Sequence, residues 1–204
     1  MSIVMRPLIV IITENTLSAM ALRSLLADIA KGVDVACYAS LDEFQCAGGE
    51  GVPHFFVSAD VVFRNSEFFR EYVRRTVVIT EGEAASFVQS GFRTIDARAS
   101  EQSIAREILS IHSAGHPRGH HAHHMSQEHT CGAVSQPQLS QREQEVLALM
   151  VKGHINKEIA DLLNISLTTV IFHRNNISEK LQTRSIGRLT IYAVLNNIVS
   201  LSEI

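Results

Sequence analysis

The stretch that most constrains this chain is Leu139–Leu181, LSQREQEVLALMVKGHINKEIADLLNISLTTVIFHRNNISEKL. It reads as three short helices in quick succession. Ser140 precedes an apolar-periodic run and Glu143 follows three residues on, the pattern of a capping box. Val146, Leu147, Met150 and Val151 recur at helical spacing until Gly153 stops the run. Asn156 is placed to cap a second helix, whose buried stripe is Ile159, Ala160 and Leu163. The link Asn164–Ile165–Ser166 then leads into a third helix from about Leu167. Two short helices joined by a tight turn, the second of them following at once, is a helix-turn-helix arrangement.

Unrolled at about 100° per residue, the third helix sorts its side chains. Val170, Ile177 and Leu181 share one line and are expected to dock inward. Phe172, Asn175 and Glu179 face the opposite way, with Ile171 and Ser178 on one shoulder and Asn176 on the other. An outward Phe beside an outward Ile is unfavourable on a plain surface but useful in a DNA major groove, where both can meet thymine methyls. Asn175 carries the donor and acceptor needed to read adenine. Arg174 lies nearer the buried line, so its stem is expected to carry the guanidinium out to a phosphate. The residues expected at a DNA interface are Asn156, Lys157, Thr168, Thr169, Ile171, Phe172, His173, Arg174, Asn175 and Lys180.

These residues carry a resemblance. LSQREQEVL, the Gly153-x-x-Asn156-Lys157-Glu158-Ile159-Ala160 run, Leu163, Ile165-Ser166, Thr169-Val170, His173, Asn176-Ile177 and Lys180-Leu181 resemble the DNA-binding domain of LuxR/NarL-type (GerE) bacterial transcription regulators. The family usually has Lys where this chain has Ile171. A base- or phosphate-reading cation is replaced there, so the family's operators do not transfer.

The N-terminal part alternates strand and helix patterns. PLIVII at 7–12 is a continuous apolar run of the kind found in buried parallel strands. Helical periodicity follows over Leu17–Ala30, a strand over Val33–Tyr38, a brief helix over Leu41–Ala47 and a strand over His54–Val57. Then come a helix over Glu67–Arg74, a strand over Thr76–Thr80, a helix over Glu83–Gln89, a strand over Phe92–Ile95 and a helix over Ser100–Ile111. This alternation predicts an α/β domain with a parallel sheet covered on both faces, flavodoxin-like, and with its functional edge at the strand C-termini.

Order and length resemble a response-regulator receiver domain. The resemblance implies an acidic pair for Mg²⁺ after strand one, where this chain has Thr13–Glu14. It puts the phosphoacceptor column on Ala59, with Asp60 one residue late, keeps Thr80, and places the Lys column on Ile95 beside Asp96. Mg²⁺ with phosphate wants several carboxylates, and a phosphoryl dianion wants a cation that Ile95 cannot offer. The expectation is a degenerate receiver that does not run on phosphate, the alternative being a phospho-switch using Asp60.

Residues 113–137 read as a flexible His-rich linker between domains at 1–112 and 138–204. Around and within it stand His112, His116, His120, His121, His123, His124 and His129, with Cys131 behind. No cofactor is required for DNA binding. The alternative is a metal- or haem-responsive regulator in which His116, His120, His121, His123, His124 and His129 hold a transition metal or haem. After Leu181 a last helix is expected over Ile186–Val199, with Leu189, Ala193 and Ile198 on one flank and Ile191 and Leu195 on the other. In the resembled family this helix is the dimer surface.

Charge bears on the partner. From Leu139 onward the chain carries +1, and the remainder −4, within a net −3. So mild a balance binds the phosphate backbone weakly as a monomer, which argues for a homodimer on double-stranded DNA. The resemblance adds RNA polymerase as a further partner. No apolar run reaches membrane-spanning length, MSIVMRPLIVIITEN lacks the marks of a signal peptide, and Cys37, Cys46 and Cys131 have no metal-type spacing. The reading is a cytoplasmic, non-enzymatic bacterial transcription regulator, independent of phosphorylation.

Overall fold

The structure, a computed structural model, describes residues 8–29, 32–48, 54–82, 84–114 and 138–204. The segment 115–137, in which a His-rich linker with His116, His120, His121, His123, His124 and His129 was expected, lies outside them, as does the side chain of His112.

Five parallel strands form one sheet in the order β2-β1-β3-β4-β5: β1 Leu8–Ile12, β2 Asp34–Tyr38, β3 His54–Ser58, β4 Thr76–Thr80 and β5 Arg93–Asp96. The period-two alternation of the strands sorts the apolar residues onto two faces. Ile9, Ile11, Phe56, Val77 and Ile95 pack with Leu22 and Leu26 of α1 (Thr16–Ile29) and Ile108 of α6 (Glu101–Ala114). Val10, Ile12, Phe55, Val57 and Val78 meet the other face. That face is covered by α2 (Leu41–Cys46), α3 (Ala59–Arg64), α4 (Ser66–Glu71) and α5 (Ala85–Gln89). Here Phe55 is ringed edge-on by Phe44, Phe69 and Tyr72 at 5.5, 5.8 and 5.7 Å between ring centres. Both faces are covered, as the unbroken apolar runs predicted.

The C-terminal part is all-helical: α7 Gln141–Val151, α8 Asn156–Leu163, α9 Leu167–Lys180 and α10 Ile186–Leu195. Its core joins Val146, Leu147, Ile159, Val170, Ile177, Leu181, Leu189 and Ala193. Helix α10 ends at Leu195, four residues before the expected end. The Asn196 side-chain amide donates to the Tyr192 carbonyl at 2.8 Å, and Asn197 turns left-handed at φ 53°. A second difference lies at 59–75. The helix expected over Glu67–Arg74 is α4, which stops at Glu71 and gives way to a 3-10 turn at Val73–Arg75, and it is preceded by a helix that was not expected, α3.

Helix α10 belongs to both cores. Leu189, Tyr192 and Ala193 pack into the helical domain, while Leu195, fully buried, and Ile191 pack into the α/β core. Polar bonds fix the join. Arg70 donates to the Leu195 carbonyl and, at 3.3 Å, to Asn196 Oδ1. Gln89 Nε2 donates to the Leu181 carbonyl at 3.0 Å, and Ser86 Oγ to the Arg188 carbonyl at 3.2 Å. Asn196 Nδ2 donates to Ser90 Oγ at 3.0 Å. Burying Leu195 alone stabilises the join by about 1.5–3 kcal/mol. Both apolar flanks of α10 are therefore covered within the chain itself, one by the helical domain and one by the α/β domain. Among the described residues, no helix is long and apolar enough to cross a membrane.

Candidate nucleic-acid interface

Local sequence sets the attitude of α9. Ser140 Oγ accepts from the Glu143 N–H at 3.3 Å and Glu143 Oε2 accepts from the Ser140 N–H at 2.7 Å, the expected capping box. Gly153 takes φ 91°, a conformation that a side chain would strain, and turns the chain out of α7. The next helix starts differently from expectation. Its N-cap is Ile155, whose N–H donates to Glu158 Oε2 at 3.0 Å. Asn156, displaced one residue into the helix, instead accepts from the Arg174 guanidinium at 2.7 Å. Asn164 closes α8 left-handed at φ 52°, with Ile165 N–H bonded back to the Ala160 carbonyl at 3.0 Å. Ser166 Oγ then caps α9 by accepting from the Thr169 N–H at 3.0 Å, and it also shares a bond with Thr169 Oγ1 at 2.8 Å.

The inward line of α9 is as expected: Val170 and Ile177 are fully buried, and Leu181 nearly so. The opposite stripe is open. Thr168, Ile171, Phe172, Asn175 and Glu179 are all exposed, Phe172 at 60% and Ile171 at 44%. The Phe172 ring is braced edge-on by His173, 5.8 Å between centres. His173 itself is half-buried and packs locally, its Nδ1 buried without a partner among the described residues.

The basic residues on α9 are committed elsewhere. Arg174 is half-buried on Asn156. Lys180 Nζ donates at 2.7 Å to Glu143 Oε2, a carboxylate that is itself buried. Burial pushes the Glu143 carboxyl up, but the Lys180 ammonium and the two bonds with Ser140 outweigh it and hold the group below its ordinary value. Lys157, in the first turn of α8, stays exposed and, among the described residues, unpaired, beside the α9 start. Of the residues expected at the interface, Thr168, Ile171, Phe172, Asn175 and Lys157 are therefore exposed. Asn156, Thr169, His173, Arg174 and Lys180 brace the helix that presents them.

At the sheet's C-terminal edge a cavity of about 340 Å³ is lined by Thr13, Glu14, Ser58, Asp60 and Glu81 among others. Asp60 stands in the first turn of α3 rather than at the end of β3. Arg64, which sequence reasoning passed over, reaches both carboxylates: Nη1 is 3.1 Å from Glu14 Oε1 and Nη2 3.8 Å from Asp60 Oδ2. Ile95 is buried in the core, and Thr80 Oγ1 turns to the Ile95 carbonyl at 3.4 Å. No cluster of three or more metal-type ligands occurs among the described residues.

Residues 137–193 match the family of bacterial regulatory proteins, luxR family. Over 61 residues the chain is 39% identical to the response regulator protein VraR of Staphylococcus aureus, a match that spans 30% of this chain and 29% of that protein's length. In fold it is similar to RcsB of Salmonella enterica serovar Typhimurium, solved on the promoter rprA with the phosphomimetic BeF3−. The TM-score is 0.63 at 15% identity, over 95% of this chain and 100% of that one. A second RcsB structure, of two dimers bound to two parallel DNAs, gives 0.61 at 14% identity, over 94% and 99%. Residues 137–193 thus match the luxR family over a helix-turn-helix, and the fold ahead of them is a receiver-like α/β domain.

Proposed function

We propose that this chain is a sequence-specific, non-enzymatic DNA-binding transcription regulator that inserts α9 into the major groove. The observation that carries the reading is the exposed stripe Thr168–Ile171–Phe172–Asn175 on the second helix of the helix-turn-helix. An exposed Phe and Ile on a short stable helix call for a partner, and a base-pair edge offers apolar methyls beside hydrogen-bonding groups. Lys157 supplies a phosphate contact. RcsB, which shares the fold, has been solved as dimers on DNA, and a homodimer of this chain would double the weak attraction of one copy. The test is binding to a duplex selected from random sequence. Asn175→Ala should weaken the selected site by about 1–3 kcal/mol and relax preference at one base position. Lys157→Ala should weaken all sequences alike and flatten the salt dependence. Equal losses on selected and random DNA for Asn175→Ala would overturn the reading.

Independence from phosphorylation belongs to the same proposal. It is supported by Arg64, whose guanidinium stands between Glu14 and Asp60 where a receiver of the resembled kind would need a metal ion. Acetyl phosphate with Mg²⁺ should neither label the chain nor alter its DNA affinity. A phosphoaspartate at Asp60, seen by mass spectrometry, would overturn this part alone.

A further inference from the structure

The exposed stripe of α9 has a composition that selects among bases. Its members are Thr168, Ile171, Phe172, Asn175 and Glu179, and none is a cation. The two basic residues of the helix, Arg174 and Lys180, stand roughly 120° to either side of the stripe at about 100° per residue. Each is already bonded at 2.7 Å, to Asn156 and to Glu143. Guanine shows two acceptors, N7 and O6, in the major groove, and its usual reader is the paired donor of Arg or Lys. The stripe has no such donor pair. Asn175 offers one donor group and one acceptor, which match adenine N6 and N7 but leave one guanine acceptor facing a carbonyl. Glu179 only accepts, so it repels both guanine acceptors. Ile171 is stiff at its branched carbon and Phe172 is braced by His173, so their apolar surface is presented in one conformation. The group in the groove that rewards such a surface is the thymine 5-methyl.

We propose that α9 reads thymine and adenine, through thymine 5-methyl groups on Ile171 and Phe172 and adenine on Asn175, and makes no guanine contact. This rests on the reading of α9 as the groove helix.

The experiment uses the full chain and the duplex selected from random sequence. Each thymine of the half-site is replaced in turn by deoxyuridine, which removes only the methyl, and each guanine by 7-deazaguanine, which removes the N7 acceptor. Deoxyuridine at one or two positions should weaken binding about three- to fivefold, the effect of one methyl buried. In the Ile171→Ala, Phe172→Ala double variant the same replacement should have no effect; both residues are exposed, so the variant keeps its fold. 7-Deazaguanine should leave affinity unchanged everywhere. Selection of a site whose affinity ignores deoxyuridine, or falls with 7-deazaguanine, overturns this inference and leaves DNA binding standing. Failure to select any sequence overturns DNA binding and this inference together.

Discussion

Helices α9 and α10 are neighbours whose apolar residues meet opposite fates. In α9 the apolar residues divide: Val170 and Ile177 go in, while Ile171 at 44% and Phe172 at 60% exposure stay out. In α10 every apolar residue from Leu189 to Leu195 is buried or partly so, because Leu189, Tyr192 and Ala193 face one core and Ile191 and Leu195 the other. Apolar side chains left outside on the middle of one helix, while those from Leu189 to Leu195 next door are covered, do not reflect a shortage of places to bury them. The difference separates a surface kept for a partner from a surface that holds the molecule together.

The largest effect expected from that contrast is on stability. Leu195→Ala removes a fully buried side chain and should cost about 2–5 kcal/mol, read as a lower midpoint in urea. Phe172→Ala should shift that midpoint by no more than about 0.5 kcal/mol yet lower preference for the selected duplex about three- to fivefold. A large stability loss from Phe172→Ala would erase the distinction between the helices.

The inner side of α9 can be tested next. Glu143→Gln removes the charge that holds Lys180 and should cost about 1–3 kcal/mol at neutral pH. Its carboxyl lies below the ordinary value in the folded state, so its contribution is complete above the unfolded value near 4.5 and is lost as pH falls through the folded value. Wild-type stability should therefore decline more steeply than that of Glu143→Gln below about pH 4.5. Parallel profiles would mean that Lys180 does not act through this carboxylate.

A smaller change is expected at the join. Arg70→Ala removes the bonds to the Leu195 carbonyl and Asn196 and should cost about 1–2 kcal/mol. Amide exchange should quicken first at the end of α10. If the Ile191–Leu195 flank also serves a second copy, sedimentation should show more dimer in this variant, because the flank cannot meet both surfaces at once.

Much of this was legible in residue order. The strand over Thr76–Thr80 and the capping box at Ser140 fall where the sequence puts them, because a buried parallel strand and a helix start each write their cause into adjacent residues. The inward and outward sides of α9 follow from helical period for the same reason. Helix α3 was not legible: Ala59–Arg64 holds Val61, Val62 and Phe63, poor helix formers, and is helical because they pack inward beneath α10. Arg64 between Glu14 and Asp60 was hidden by the 50 residues that separate it from Glu14. The join of the two domains was the deepest omission. Bonds such as Gln89 to Leu181 link residues with no shared period, although the unbroken apolar run Ile191–Leu195 signals a helix covered on more than one side.

Because Leu195 and Ile191 complete the α/β core while Leu189 and Ala193 complete the helical one, the boundary between the two domains passes through a single helix. Such a helix couples their melting. Neither half can open without uncovering a surface of α10 that the other half needs, so heating should produce one calorimetric transition for the whole molecule. Cutting the chain between 115 and 137 would give two fragments that stay associated until α10 is pulled away.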